Sequence, residues 1–295
     1  MKEEILILDK KDSVNYRFGF KMVLYGLFSL VKDHYLNFFK LIEHVFKDYF
    51  AKQYERKPAF RIDCQLDGYI LPQPKALGAY FDLFPFLVGS FGFVKKYTGK
   101  STQEDLNRML RRLVDFYSDA GSIFENAPTT LLNRKTRGWS LKILHSLDRP
   151  RNFFPSLHVV TASYVYFGTL GLIDKYPTDY LDSSVVKQSL FDRMIRIIEA
   201  CLLTKQHGIR DIAGGLALVS IREPEFKETA YNIMGAMFKK GPFALSDQAS
   251  GQLKEEIERI YAEIIGCIGA SNVSTNNHPQ FMAEYIKTRM IPEDA

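Results

Sequence analysis

Apolar residues recur at every third or fourth position along most of this chain, and they mark out a series of helices. From Tyr16 to Phe50 the pattern is helical, with a break expected near Lys32. Phe38, Phe39, Leu41, Ile42, Val45, Phe46 and Tyr49 fall at helical spacing there, with Lys40, Glu43, Lys47 and Asp48 between them. This stripe reads as a core face rather than a membrane-surface helix. Residues 51–75 are polar and contain Pro58, Pro72 and Pro74. Arg61 to Leu66 alternates briefly, but extended loop is expected there rather than sheet. Tyr80 to Val94 is strongly apolar and reads as a buried helix kinked around Pro85. Ser101-Thr102-Gln103-Glu104 has the form of a capping box, in which a hydroxyl caps the helix and a carboxylate reaches back. Leu106, Met109, Leu110, Leu113, Val114 and Tyr117 then lie on one stripe of the helix that follows. Asn126 to Gly138 reads as loop.

Pro155 is expected to open the next helix, which runs to about Ile173; proline suits a first helical position because its missing N–H has no partner there. A loop over 174–183 leads to a helix from about Ser184 to Lys205, with Leu190, Met194, Ile197, Ile198 and Cys201 turned inward. The pattern leaves open whether it continues through His207, or breaks near Gly208 and restarts through Asp211 to Ser220. Two further helices fit about 224–239 and 248–268, the first stopped by Gly241-Pro242. The last 25 or so residues are polar and expected to be loose, with one short helix near Phe281 to Thr288. No repeat or clear linker interrupts the series. The expected fold is all-α: a weakly structured N-terminus (1–15), one helical bundle domain (16–222) and a C-terminal helical extension (223–295) packed on it.

The composition is compatible with a core of ordinary size, at 295 residues and 46% hydrophobic. The 23 Phe and 16 Tyr against a single Trp suit a helical interior with wide apolar grooves. Net charge is +5, and its source is local. Six cations (Arg134, Lys135, Arg137, Lys142, Arg149, Arg151) stand against one acid, Asp148, between Arg134 and Arg151. Clustered cations raise the local anion concentration and steer charged ligands, although such a cluster can also be an ordinary solvated surface. The cluster is short and carries no nucleic-acid-binding signature, so nucleic acid is not an expected partner.

Cys64, Cys201 and Cys267 make neither a zinc spacing nor a disulfide framework, which suits a reducing compartment. The N-terminus lacks the pattern of a signal peptide. The longest stretch without Asp, Glu, Lys or Arg, Asn152 to Ile173, is long enough to span a bilayer but contains Pro155, Ser156 and His158. Leu83 to Val94 is too short. The expectation is a soluble, cytoplasmic protein, with peripheral membrane contact left open.

Candidate chemistry gathers in two short stretches. In Pro155-Ser156-Leu157-His158, a helix N-terminus would offer backbone N–H groups to an anion, Ser156 a hydroxyl, and His158 a proton for a leaving oxygen. A hydrogen-bonded histidine in a buried helix would look the same. In Thr204-Lys205-Gln206-His207, Lys205 supplies a cation. Asp211, four residues beyond His207, would share its face on a continuous helix. A carboxylate on one imidazole nitrogen fixes the tautomer and leaves the other nitrogen as a nucleophile.

Taken together, the stretches resemble the type 2 phosphatidic acid phosphatase (PAP2) superfamily, which includes lipid phosphate phosphatases, bacterial class A acid phosphatases and vanadium haloperoxidases. The superfamily pattern is Lys-x6-Arg-Pro, then Pro-Ser-Gly-His, then Ser-Arg-x5-His-x3-Asp. Lys142 to Arg149-Pro150 matches the first element, Pro155 to His158 the second, and Thr204-Lys205-Gln206-His207 with Asp211 the third. Asp148, Pro150, Asn152 and the Phe154-to-His158 run look closest to the inositolphosphotransferase-like branch. The resemblance covers about residues 60–220. Here Leu157 stands in place of glycine and Lys205 in place of arginine, and only four residues separate Pro150 from Pro155.

The resemblance implies a bundle of the phosphatidic acid phosphatase and haloperoxidase type. His207 would be the nucleophile, Asp211 its orienting group and His158 the acid. Ser156, Lys205, Lys142, Arg149 and the backbone at Leu157 would hold phosphate oxygens, with Arg134 or Arg137 as alternatives to Lys142 and Arg149. No metal or other cofactor is required. The implied function is a phosphatase or phosphotransferase acting on a phosphate ester, such as a lipid or prenyl (di)phosphate, through a phosphohistidine. Two other readings stand beside it: a protein that binds a lipid or phosphorylated ligand without turnover, or serves as a helical interaction module, and a vanadate-dependent haloperoxidase.

Overall fold

The computed structural model describes residues 20–54, 59–131, 138–148, 151–177, 183–269 and 277–292. Helix α1 (Phe20–Asp33) breaks at His34 before α2 (Tyr35–His44), which unwinds through a π turn (Val45–Phe50) into a 3-10 turn (Ala51–Tyr54). Strand β1 (Phe60–Arg61), a short α3 (Leu77–Tyr80), α4 (Leu83–Thr98), α5 (Gln103–Asn126), β2 (Thr129–Thr130) and α6 (Trp139–Leu147) follow. Next come α7 (Leu157–Lys175), α8 (Ser183–Leu203), α9 (Ile209–Arg222), α10 (Lys227–Ala236), α11 (Asp247–Gly269), α12 (His278–Arg289) and β3 (Ile291–Pro292). The fold is all-α, with one small sheet. The proposed N-terminal segment 1–15 and the cations Arg134, Lys135, Arg137 and Arg149 lie outside the described residues.

Helix α7 is the centre of the bundle. It is apolar around most of its circumference, a pattern that requires burial on every side. It packs against α4, α5, α8 and α9. Helix α5 shows the opposite design. Its stripe of Leu106, Met109, Leu110, Leu113 and Tyr117 is buried, while Glu104, Arg108 and Arg111 face water. Helices α1 and α4 cross closely enough that a Cβ at Gly92 would lie 2.7 Å from the Cα of Gly26.

Several expectations change. The stretch expected as loop around Arg61 contributes β1, which pairs parallel with β2 and antiparallel with β3. The pairing partners come from positions 129–130 and 291–292, so no local pattern could announce them. The capping box does not form. A 3-10 turn (Gly99–Thr102) occupies its place, and Ser101 Oγ donates to the Thr98 carbonyl instead (2.7 Å). Pro155 lies before the helix rather than at its first position, and Ser156 is the N-cap. The stripe of Phe38 to Tyr49 is split: Phe38, Leu41 and Tyr49 are buried, while Phe39 and Phe46 face solvent.

Within the C-terminal stretch expected to be loose, the described residues 277–292 are ordered and packed. Met282 and Ile286 of α12 are fully buried. The helix is pinned by Asp119, which accepts hydrogen bonds from Arg222 Nη2 (2.6 Å) and Nε (2.7 Å) and sits 2.9 Å from His278 Nε2. Among the described residues one helical run, Pro74–Thr98, is long and apolar enough to cross a membrane (mean hydropathy 1.5). It exceeds the Leu83–Val94 segment because the preceding turns join it, and 56% of its apolar window is buried inside the bundle.

Candidate functional site

The link between α8 and α9 is built by backbone geometry. Helix α8 ends in a Schellman motif: Lys205 N donates to Leu202 O (3.1 Å) and Gln206 N to Cys201 O (3.2 Å). The left-handed position of that motif usually holds glycine, yet here it holds Lys205, at φ 57°. Lys205 is only 8% exposed, and its Nζ donates to the backbone carbonyl of Asp67.

Helix α9 starts afresh at Gly208, so His207 and Asp211 are not on one continuous helix. They meet because Asp211, in the first turn, turns back to the N-cap. Its Oδ2 accepts from Gly208 N (2.7 Å) and lies 3.5 Å from His207 Nδ1, an ion-pair distance longer than a good hydrogen bond. Asp67 caps the same terminus from outside, its Oδ1 accepting from Ile209 N (2.9 Å). Burial pushes the Asp211 carboxyl well above the usual carboxylate range, the Gly208 amide pulls it back, and the charges of Asp67 and Asp63 add to the rise.

The start of α7 is locked to this link. Thr129 Oγ1 accepts from Phe153 N (3.0 Å) and Phe154 N (3.1 Å), and Asn152 N donates to Thr129 O (2.8 Å). The Phe154–Pro155 peptide is cis. Ser156 N then donates to the backbone carbonyl of Asp211 (3.2 Å), which joins the two stretches directly. Ser156 Oγ accepts from Val159 N (3.4 Å), so this hydroxyl is first of all a helix cap. The amides of Leu157 and His158 have no acceptor among the described residues, the ordinary condition of a first helical turn.

The two histidines converge. Their ring centroids are 5.6 Å apart at 57°. Phe153 meets His207 edge-on at 5.6 Å, and Tyr80 stacks on His158 at 4.3 Å and 23°. Tyr80 is itself fixed: its hydroxyl donates to Asp148 Oδ2 (3.1 Å), and Tyr49 donates to Asp148 Oδ1 (2.9 Å). Burial pushes the His158 imidazole down to about 3; His207 adds to the drop and Asp148 opposes it. At neutral pH His158 is therefore a base, and protonating it needs an anion beside it. His145 Nε2 lies 2.7 Å from the Thr204 carbonyl and anchors α6 to the link.

Of the residues singled out in the sequence, His158, His207, Asp211, Ser156 and Leu157 come together, with Lys205 at the edge of the group. Lys142 is exposed on α6, and no described contact ties it to the histidines. Arg149 lies outside the described residues. Sequence reasoning gave no site role to Asp67, Tyr80, Tyr49 or Thr129, and it named Asp148 as the lone acid in a basic cluster and as part of the family resemblance, not as the anchor of Tyr80 and Tyr49. It also missed Gly214 and Gly215. A Cβ at Gly214 would lie 2.4 Å from the Phe154 ring, and one at Gly215 2.9 Å from the Ser156 carbonyl. A Gly-Gly pair inside an apolar helix was the available signal for this close approach. Among the described residues no cluster of three or more His, Cys, Asp or Glu side chains is placed to hold a metal ion.

Comparison with known protein families, with curated proteins and with solved structures finds no match to this chain.

Proposed function

We propose that the protein is a phosphatase or phosphotransferase of the type 2 phosphatidic acid phosphatase kind, working through a phosphohistidine on His207. The observation that carries this reading is the convergence of His158 and His207 at 5.6 Å, with Asp211 Oδ2 3.5 Å from His207 Nδ1. A nucleophile and an acid drawn from separate helix starts, one with a carboxyl group beside it, is the constellation that two-step group transfer needs. In the first step the bound phosphate's charge holds a proton taken up from water on His158; His207 Nε2 attacks phosphorus, the bond to the leaving oxygen breaks, and His158 gives that oxygen this proton. In the second step His158 takes a proton from water or an alcohol, whose oxygen attacks phosphorus and releases His207. The open amides at the start of α7, Ser156 and Lys205 would stabilise the charge that builds on the phosphoryl oxygens, an effect worth about 3–4 kcal/mol per well-placed donor.

A second reading, a protein that binds a phosphorylated or lipid ligand without turnover, is favoured by one observation. His207 is only 3% exposed, and its ring is closed in by Phe153 and His158. Attack on a phosphoryl group requires these rings to part. Turnover of a soluble phosphomonoester and of a prenyl diphosphate by the full chain separates the readings. Turnover that disappears in His207→Ala, with an acid-labile phosphate on His207 in rapidly quenched wild-type protein, is the expected result. Ligand binding without turnover supports the second reading, and equal turnover by His207→Ala refutes the first.

A further inference from the structure

Helix α1 is apolar on both faces, yet the described residues cover only one of them. Gly26, Ser29 and Leu30 pack inward against the bundle. On the other side Leu24, Phe28 and Val31, then Tyr35 and Phe39 on α2, stand in open solvent at helical spacing, with Phe28 66% exposed. Phe46 (61% exposed) and Phe50 continue the line on the π turn, their rings 5.6 Å apart. An aromatic and aliphatic stripe of this length on a surface marks an interaction site. Its charge identifies the occupant. Lys32, Lys40 and Lys47 are exposed along α1, α2 and the π turn, against one exposed acid, Glu43. Lys32 Nζ lies over the Phe28 ring at 5.9 Å. Aromatic and aliphatic residues with lysines at their edge suit an anionic lipid surface, where the rings enter the headgroup boundary and the ammonium groups meet lipid phosphates.

We infer that the α1–α2 face and the adjoining π turn dock the protein on an anionic bilayer. The placement also relates the face to the histidine site. Tyr49, between Phe46 and Phe50, donates to Asp148, which Tyr80 also contacts, and Tyr80 stacks on His158. Phe81, beside Tyr80, is exposed as well. A docked protein would thus hold its site at the membrane surface, and its substrate would be a phosphoester anchored in that membrane. The substrate part rests on the phosphotransfer reading; the docking part does not.

The test uses the full chain and the double variant Phe28→Glu/Phe39→Glu. Both side chains are exposed, and circular dichroism with a melting curve checks the fold. Co-sedimentation is measured with neutral vesicles and with vesicles containing about a third phosphatidylserine. Turnover is measured on a soluble phosphomonoester and on a phosphoester embedded in the same vesicles. The expected result is salt-sensitive binding to the anionic vesicles, weakened at least tenfold in the variant. Turnover of the embedded ester should fall with it, and turnover of the soluble ester should stay unchanged. Vesicle binding lost in the variant, with no turnover by either protein, supports docking and removes the phosphotransfer reading. Failure of the wild type to bind vesicles overturns the inference. So does equal binding by the variant, or a wild-type dimer that the double substitution dissociates, which would make a second copy the occupant.

Discussion

Gly215→Ala tests how the two histidine stretches are held together. The added Cβ would sit 2.9 Å from the Ser156 carbonyl oxygen and 2.9 Å from Val159 Cβ, where ordinary contact begins at 3.4 Å. Neither neighbour can swing aside as a flexible chain end would. The Ser156 carbonyl accepts from Val160 N (3.0 Å), and Ser156 N is tied to the Asp211 carbonyl (3.2 Å). The start of α7 must therefore move away from α9 by about 0.5 Å, and His158 moves with it. Overpacking of this kind costs about 1–3 kcal/mol, offset by about 1 kcal/mol of helix propensity gained over glycine. The net is a loss of about 0–2 kcal/mol. Gly251→Ala on α11 is the control, because its Cβ would meet nothing within 4 Å. It should gain the propensity term alone and melt about 2–4 °C higher. Because a 1 Å misplacement costs roughly a hundredfold in rate, half of that predicts about a tenfold fall in kcat for Gly215→Ala. Melting curves of both variants and kcat on a soluble phosphoester check this. A Gly215→Ala protein that melts as high as Gly251→Ala and turns over at the wild-type rate would refute the packing argument.

Three further substitutions have defined outcomes. Lys205→Gly relieves a left-handed backbone costing about 1 kcal/mol but removes the hydrogen bond to the Asp67 carbonyl, worth about 1.5–3 kcal/mol, so stability should change by no more than about 2 kcal/mol. Inorganic phosphate should raise the melting temperature of the wild type and not of this variant; an equal shift in both would remove Lys205 from anion binding. Glu199 is 1% exposed, and burial pushes its carboxyl up to about 7, so it is neutral in the folded protein where the unfolded chain is already ionised. Stability from this group is full below pH 4.5 and is lost as pH rises through about 7. Glu199→Gln keeps an acceptor for Phe238 N and should be more stable than wild type at pH 8, by on the order of 3 kcal/mol, and equal to it at pH 4; urea melts at the two pH values decide this. His158 has the opposite sign. Its folded value of about 3 lies below the ordinary 6.5, so its contribution is full above pH 6.5 and falls as pH drops towards 3, by about 1.4 kcal/mol per pH unit. His158→Gln should flatten the stability curve across that window relative to wild type, and parallel curves would contradict the burial argument.

Helices with strong apolar stripes were legible in the sequence because their signal is local. The inward-facing residues of α8, from Leu190 to Cys201, follow from spacing alone, and all of them are buried. Short strands, caps and turns were not legible. The pairing of Phe60 with Thr129 and Pro292 depends on chain segments far apart in sequence, and the capping box at Ser101 lost to a 3-10 turn that satisfies the same hydroxyl differently. A short helix near Phe281 to Thr288 was legible, but the polar composition around it hid its packing, which depends on the Asp119 cluster that receives α12.

The site divides the same way. The two stretches ending in His158 and His207 supply the groups that the proposed reaction would use, since histidine, serine, lysine and aspartate carry their chemistry wherever they fold. Their meeting is a tertiary fact. It depends on a helix restart at Gly208 that turns Asp211 back towards His207, on the Ser156–Asp211 backbone bond, and on a Gly-Gly face that admits Phe154 and the Ser156 carbonyl. The support for His158 comes from Tyr80, Tyr49 and Asp148, brought in from other elements. Sequence alone determined which groups could react and which helices could form. Packing decided which of them touch, because close approach and burial are properties of pairs of elements and have no local period to read.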